Sequence, residues 1–181
     1  IIMRILVTGG AGFVGTNLIK RLVTNGHDVV SVDDYSTGDK ENHVEGCKYV
    51  EMSVVDFDRY HELEFSEFDL IYHLAGLSRI QPSFKNPTHT FNVNTGGTQK
   101  ILEFARKTNT KVIYAGSSSK HHAPYQSPYA TCKYLGEEIC KMYKRTYNMD
   151  IEICRFYNVY GPHEVIEGDW AAVIGIWRRQ V

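Results

Sequence analysis

Tyr129-Ala130-Thr131-Cys132-Lys133 sets a phenol and an ammonium four residues apart. On a helix that spacing is one turn, so both groups share a face. A free phenol, with a pKa of about 10, is a poor base at neutral pH. A neighbouring ammonium favours the phenolate and suits it to proton transfer. Ser117-Ser118-Ser119 lies just upstream; a hydroxyl there can hydrogen-bond the substrate oxygen whose proton Tyr129 takes. By itself such a pair is a common surface coincidence. Its meaning depends on what the rest of the chain places around it.

A second motif supplies that context. Val7-Thr8-Gly9-Gly10-Ala11-Gly12-Phe13-Val14-Gly15 follows an apolar strand pattern and opens a helical one. Gly9 permits the tight turn, Gly12 lets backbone approach a pyrophosphate, and Gly15 allows close helix–strand packing. The helix N-terminus offers unpaired N–H groups to the anion. Asp33 follows at the end of the second strand pattern. A carboxylate there accepts hydrogen bonds from the adenosine ribose and repels a 2′-phosphate, so the cofactor expected is NAD rather than NADP. The nicotinamide ring of that cofactor would be a second positive charge favouring the phenolate, and Lys133 can also reach its ribose.

The elements that must hold these groups alternate along the chain. Strands are expected at Arg4–Thr8, Val29–Val32, Lys48–Glu51, Asp69–Leu74, Lys111–Ala115 and Ile151–Arg155. Helices are expected at Gly12–Thr24, Thr90–Thr108 and Tyr129–Tyr147, with a weak one at Phe57–Leu63 and an apolar helical run at Trp170–Trp177. Strands separated by helices imply right-handed βαβ crossovers and a doubly wound parallel α/β sheet, a Rossmann fold. Asn94 sits on a helix that should face the sheet, where its amide can bind backbone or cofactor. Gly96-Gly97 in mid-helix costs about 1 kcal/mol per residue relative to Ala, which implies close approach of another element. Ser119–Ser127 reads as the most flexible stretch. Met3 reads as the native start. The last apolar helix has nothing to cover it, so the chain reads as a fragment or a short version of a longer fold: residues 1–160 a NAD-binding domain, residues 161–181 the start of an incomplete substrate-binding region.

Composition narrows the function classes. The 181 residues carry 20 Lys+Arg against 21 Asp+Glu, a formal charge of −1, which argues against a bulk electrostatic nucleic-acid binder. No apolar run reaches the ~18–20 residues of a membrane span. Cys47, Cys132, Cys140 and Cys154 form no metal or redox motif and read as free buried thiols of a reducing, cytoplasmic compartment. The eight histidines lack metal-ligand spacing.

Together the motifs resemble the extended short-chain dehydrogenase/reductase family, nearest its UDP-glucose 4-epimerase-like nucleotide-sugar enzymes. The matching stretches are Thr8–Gly15, Val32–Gly38, His73–Gly76, Asn94–Thr98, Tyr114–Ser119, Ser127–Tyr129 with Lys133, and Arg155–Pro162, in the family's order. The resemblance implies that Gly9, Gly12, Phe13, Val14 and Gly15 hold pyrophosphate. It implies Asp33 at the adenosine ribose with Asp34, Ser36, Thr37 and Gly38 around it, and Val54 at adenine. Leu74, Ala75 and Gly76 would line the dinucleotide, with Asn94 nearby and Tyr157 beside nicotinamide. Tyr129 would be the acid/base and Lys133 its partner, both also binding the cofactor, Ser117 the substrate-bonding hydroxyl with Ser118 as the fallback, and Asn158 would face the sugar nucleotide's diphosphate. It also implies a homodimer through the helices around Thr98–Lys107 and Tyr129–Tyr147, where Leu135, Ile139 and Met142 fit such a face.

Within that family, dehydratases and decarboxylases carry a carboxylate just after the Ser/Thr; here Ser118, Ser119 and Lys120 follow Ser117. The expectation is therefore a 4-epimerase acting on a UDP-hexose. Tyr129 would take the C4 hydroxyl proton as hydride moves to NAD, and hydride would return to the other face of the turned 4-keto sugar. The alternatives are another NAD-dependent nucleotide-sugar or hydroxy-acid enzyme and a non-catalytic NAD-binding module. Four departures stand out. His121-His122 holds the family's Tyr-Gly place, and the span from Ser117 to Tyr129 is short. Ser53 and Ser78 stand where relatives carry Asp and Lys. The family continues well beyond Val181, so the chain is expected to bind NAD but to turn over weakly alone.

Overall fold

The computed structural model describes residues 1–59, 67–121, 124–171 and 173–180. Six parallel strands, β1 (Arg4–Thr8), β2 (Asp28–Asp33), β3 (Cys47–Glu51), β4 (Leu70–His73), β5 (Lys111–Ser117) and β6 (Ile151–Phe156), form one sheet in the order β3-β2-β1-β4-β5-β6. The order reverses between β1 and β4. In such sheets the crevice beyond the strand ends at that point is where ligands bind.

The central strands β1 and β2 are buried along nearly their whole length because each face is covered, whereas the edge strands β3 and β6 carry exposed polar residues. Leu6, Val30 and Val32 enter one core cluster while Ile5, Val7 and Val29 enter the other. The second cluster is closed by Ile19 and Leu22 of α1 (Phe13–Thr24), the first by Ile101, Leu102 and Ala105 from the helix opposite. Alternation within a central strand thus feeds two cores, and β1 and β2 have no polar face to show a period of two.

The helical elements differ from expectation in four places. A short helix α2 (Ile80–Lys85) was not signalled; it packs under the helix that carries Tyr129. The long helix begins earlier than Thr90, as α3 (Pro87–Phe91), capped by the Asn86 side chain. It then widens into a π-helical segment, Asn92–Gly97, before α4 (Thr98–Thr108). Gly97 explains its own presence: a Cβ there would lie 2.5 Å from Val54 Cγ2, whereas Gly96 has nothing within 4 Å. Close approach therefore applies to one of the two glycines. The weak helix expected at Phe57–Leu63 is a 3-10 stretch, Val54–Arg59, as far as the described residues reach; residues 60–66 lie outside them. The helix that carries Tyr129 is α5 (Pro128–Tyr147), and the tail helix is α6 (Val173–Gln180), starting three residues later than the run at Trp170. The described part of Ser119–Ser127 includes a 3-10 turn, Ser118–His121.

Cys132 and Cys140 are buried and free, as expected, but Cys47 is half-buried and Cys154 exposed, because β6 is the sheet's edge. Among the described residues no helix is long and apolar enough to cross a membrane, and none group as a metal site.

Candidate active site

The turn after β1 is built by backbone contact. Gly9 takes φ +75°, its N–H donates to the Val32 carbonyl at 2.8 Å, and a Cβ on it would lie 2.7 Å from Ala75 N. A Cβ on Gly15 would lie 2.2 Å from the Gly9 carbonyl oxygen, so α1 can pack on this turn only through a glycine. Gly12 is different: a Cβ there meets only Gly9 O, at 3.4 Å. The protein leaves that space open. Gly12 is also the N-cap of α1, with no side chain capping the first turn and no acidic residue in it. Unpaired N–H groups and an open approach are what a bound pyrophosphate needs.

Asp33, at the end of β2, is 8% exposed. One carboxylate oxygen accepts from Ala11 N and the other from Tyr35 N, both at 2.9 Å. Burial raises its pKa from the ordinary value, and the two N–H groups partly oppose this. The same carboxylate therefore shapes the glycine loop and borders the cleft.

The cleft, about 1180 Å³, runs from Asp33 past the glycine loop to Tyr129. Gly9, Gly12, Phe13, Val14, Gly15, Asp33, Asp34, Ser36, Thr37, Val54, Leu74, Ala75 and Gly76 all line it, as do Ser117, Ser118, Tyr129, Lys133, Tyr157 and Asn158. Two residues expected at the cofactor do not. Gly38 packs on the Ala11 backbone, where a Cβ would lie 3.0 Å from its carbonyl carbon. Asn94 is 2% exposed and spends its carboxamide on Leu77, accepting from its N–H at 2.7 Å and donating to its carbonyl at 2.9 Å. It holds the Leu74–Leu77 turn from behind.

His73 completes that support. The Thr98 hydroxyl donates to the Asn94 carbonyl at 2.7 Å, so toward His73 Nε2, 3.0 Å away, it can only accept. Nε2 thus carries the proton, and Nδ1 accepts from Thr8 Oγ1 at 2.7 Å, which in turn accepts from Ala75 N at 3.2 Å. Burial pushes the imidazole pKa down to about 3, with Lys133 adding to the effect. A neutral ring locks the tips of β1 and β4 to the π-helical segment.

At the other end, Ser127 caps α5, accepting from Ala130 N at 3.1 Å, and Pro128 takes the first helical position. Tyr129 N–H donates to Ser83 Oγ at 3.2 Å; Ser83, 2% exposed, donates to the Ile80 carbonyl. Ser83 was not foreseen, because it acts through a backbone N–H and carries no motif. Tyr129 Oη lies 3.4 Å from Ser117 Oγ. Lys133, one turn on, donates from Nζ to the Ala115 carbonyl at 2.9 Å, so its hydrogen bond goes to the strand rather than to the phenol.

Burial lowers the Lys133 pKa to about 8, and neighbouring Cys140, Cys132 and Glu137 oppose this only in part. Between pH 8 and the ordinary 10.5 the folded chain holds Lys133 neutral while the unfolded chain keeps its proton. The unfolded state then binds more protons, so stability rises with pH across that window by about 3 kcal/mol in total. Buried Cys47 and Cys140, pushed up to about 11 and about 12, oppose this gain over the same window, so in urea unfolding at both ends the Lys133 contribution is expected as the difference between the wild type and Lys133→Met.

A doubly wound parallel sheet with an uncapped glycine turn after β1 and a buried carboxylate at the end of β2 is the architecture of a dinucleotide-binding protein. The sequence model of the NAD dependent epimerase/dehydratase family matches residues 5–181, and the chain belongs to that family. A UDP-glucose 4-epimerase of Mycolicibacterium smegmatis is 34% identical over 97% of the chain and 62% of its own length. A UDP-N-acetyl-alpha-D-glucosaminuronate decarboxylase of Bacillus cytotoxicus is 32% identical over 94% and 59%. Among solved structures, the UDP-glucose 4-epimerase of Thermotoga maritima, crystallised with UDP-glucose, superposes with TM-score 0.92 at 28% identity, over 98% of this chain and 62% of that one. The UDP-glucose 4-epimerase of Thermus thermophilus, solved with NAD, gives 0.82 at 27% identity over 92% and 59%. The chain thus spans about three fifths of these relatives' length. The cofactor of the family is NAD, and the open Gly12 approach fits its pyrophosphate.

Proposed function

We propose that this chain is the NAD-binding and acid–base part of a nucleotide-sugar 4-epimerase of the UDP-hexose type. The observation that carries the reading is the pairing of Tyr129 Oη with Ser117 Oγ, 3.4 Å apart, at the end of the cleft that Gly12 and Asp33 open, with no carboxylate among residues 118–120. Gly9, Gly12, Phe13, Val14 and Gly15 would hold the pyrophosphate, Asp33 the adenosine ribose, and Lys133 and Tyr157 the nicotinamide end. Bound NAD supplies a reversible two-electron acceptor for the sugar carbon. Tyr129 takes the hydroxyl proton from that carbon and returns it when the alcohol re-forms, so the phenol ends each cycle as it began. Ser117 orients the same oxygen by hydrogen bonding. Asn158, lining the cleft beyond β6, would face the diphosphate. Oxidation and reduction at one carbon needs nothing more of this chain, whereas removal of a neighbouring proton needs a further base. In this reading the chain works in the cytoplasm as a homodimer, with exposed Met142 and half-buried Leu135 and Ile139 on the pairing face.

The test is incubation of the chain with NAD and UDP-glucose, following the anomeric protons by NMR. Epimerisation predicts UDP-galactose without net NADH. Stoichiometric NADH would make it a dehydrogenase, and carbon dioxide released from UDP-glucuronate a decarboxylase. NAD binding without turnover of any of these would leave a binding module.

A further inference from the structure

Three donors converge on one hydroxyl at the end of β5. The Ser119 N–H donates to Ser117 Oγ at 3.2 Å, the Ser119 hydroxyl donates to it at 2.9 Å, and the Tyr129 hydroxyl lies 3.4 Å away. A hydroxyl oxygen has two lone pairs and one proton of its own. It cannot accept from all three. The contact that must yield is the longest, which already exceeds the usual O–H···O range of about 2.5–3.0 Å.

The local backbone explains the crowding. Directly after β5 the chain turns into a 3-10 segment, Ser118–His121, which folds Ser119 back on the residue two before it. This is the Ser/Thr turn in which a side-chain oxygen captures a nearby backbone N–H. Ser118, between them, lines the cleft and makes no such bond to Ser117 among the described residues.

We propose that Ser119 is a positioning residue for proton transfer: in the sugar-free site it fills both lone pairs of Ser117 and so leaves the Ser117 proton to the Tyr129 oxygen until a sugar oxygen takes it. The inference rests on the reading of Tyr129 as the proton-transferring group. Its chemical content is a direction. With Ser119 in place, the neutral phenol finds no acceptor in Ser117 and keeps its own proton for an oxygen arriving in the cleft. The phenolate, in contrast, receives the Ser117 O–H. A hydrogen bond given to the charged form and denied to the neutral form favours the charged form. Ser119, which also lines the cleft, therefore acts on Tyr129 through Ser117.

The experiment titrates the chain, labelled with ¹³Cζ tyrosine and saturated with NAD, by NMR, the Tyr129→Phe spectrum identifying the resonance. Ser119→Ala frees one lone pair of Ser117 and is expected to move the Tyr129 midpoint upward by about 0.5–1 pH unit. Ser119→Thr, which keeps the hydroxyl, is expected to restore it. In a Ser117→Ala background the Ser119→Ala change is expected to have no further effect, because the oxygen through which it acts is gone. An unmoved midpoint in Ser119→Ala overturns the proposal, as does an equal shift with and without Ser117. The remaining tyrosine resonances report whether each variant is folded, and the Ser117→Ala pair decides the matter if Ser119→Ala alone disturbs the turn. No sugar is added, so a chain that leaves UDP-glucose unchanged would refute the epimerase reading without altering this outcome.

Discussion

On the epimerase reading, replacing Tyr129 by phenylalanine is expected to lower nucleotide-sugar turnover by about 10²–10⁴-fold, the usual worth of a positioned acid/base, and to leave NAD affinity unchanged. The two halves of that expectation have separate structural grounds. Turnover falls because the phenyl ring has nothing to accept the sugar's proton, and Ser117, the nearest hydroxyl, has no base behind it. Binding persists because the cradle is made elsewhere, by the glycine turn, Asp33 and the Leu74–Leu77 floor. The helix also keeps its seat: Ser83 holds the backbone N–H of residue 129, which phenylalanine still provides. Calorimetry with NAD and the anomeric-proton assay, run on both chains, check the two halves. A variant that keeps wild-type turnover would remove Tyr129 from the chemistry; one that loses NAD would mean that the phenol belongs to the cofactor seat.

The residues that reveal such a site in a bare sequence are those whose role is set by local chain geometry. Gly9, Gly12 and Gly15 each answer to a turn, an open approach and a close packing contact that the strand-to-helix connection itself dictates. Tyr129 and Lys133 share a helix face by spacing alone. The strands were equally legible, since burial on both faces leaves unbroken apolar runs such as Ile5-Leu6-Val7. What stayed hidden depends on which side chain meets which partner across the fold. Asn94 showed as a polar residue facing inward, but only the folded turn decides that it binds Leu77 rather than cofactor. The π-helical widening at Asn92–Gly97 has no periodic signature; within it Asn94 faces the Leu77 backbone and Gly97 sits on Val54. Ser83 and Ser119 are serines in loops or short helices; their importance comes from the group each happens to hold. Glu137 did leave a trace, an acid four residues past Lys133 on the helix's inner face, yet its meaning lay on a strand eighteen residues away.

That pair carries the second large expectation. Glu137 is fully buried, and Arg155 of β6 donates to it through Nε at 2.9 and 3.1 Å and through Nη2 at 2.9 Å. The carboxylate sits so close to β5 that a Cβ on Gly116 would lie 2.7 Å from Glu137 Oε1. The pair thus ties α5 to two strands at the level of Gly116, next to Ser117. Arg155→Ala removes the guanidinium and leaves a charge in a site water does not reach. The expected loss is about 3 kcal/mol of folding stability, at the low end for a broken buried pair, since the Arg155 side chain is 32% exposed and the carboxylate keeps other contacts. Glu137→Gln with Arg155→Ala is expected to recover much of that loss, because the uncompensated charge, rather than the missing attraction, is what destabilises the single variant. Urea unfolding of the four chains gives the coupling directly, and simple additivity would show that the pair is no tie at all. Turnover sharpens the point: if the tie positions Tyr129 against Ser117, the double variant regains stability but not rate, since a neutral amide without its fork no longer fixes the helix against β6.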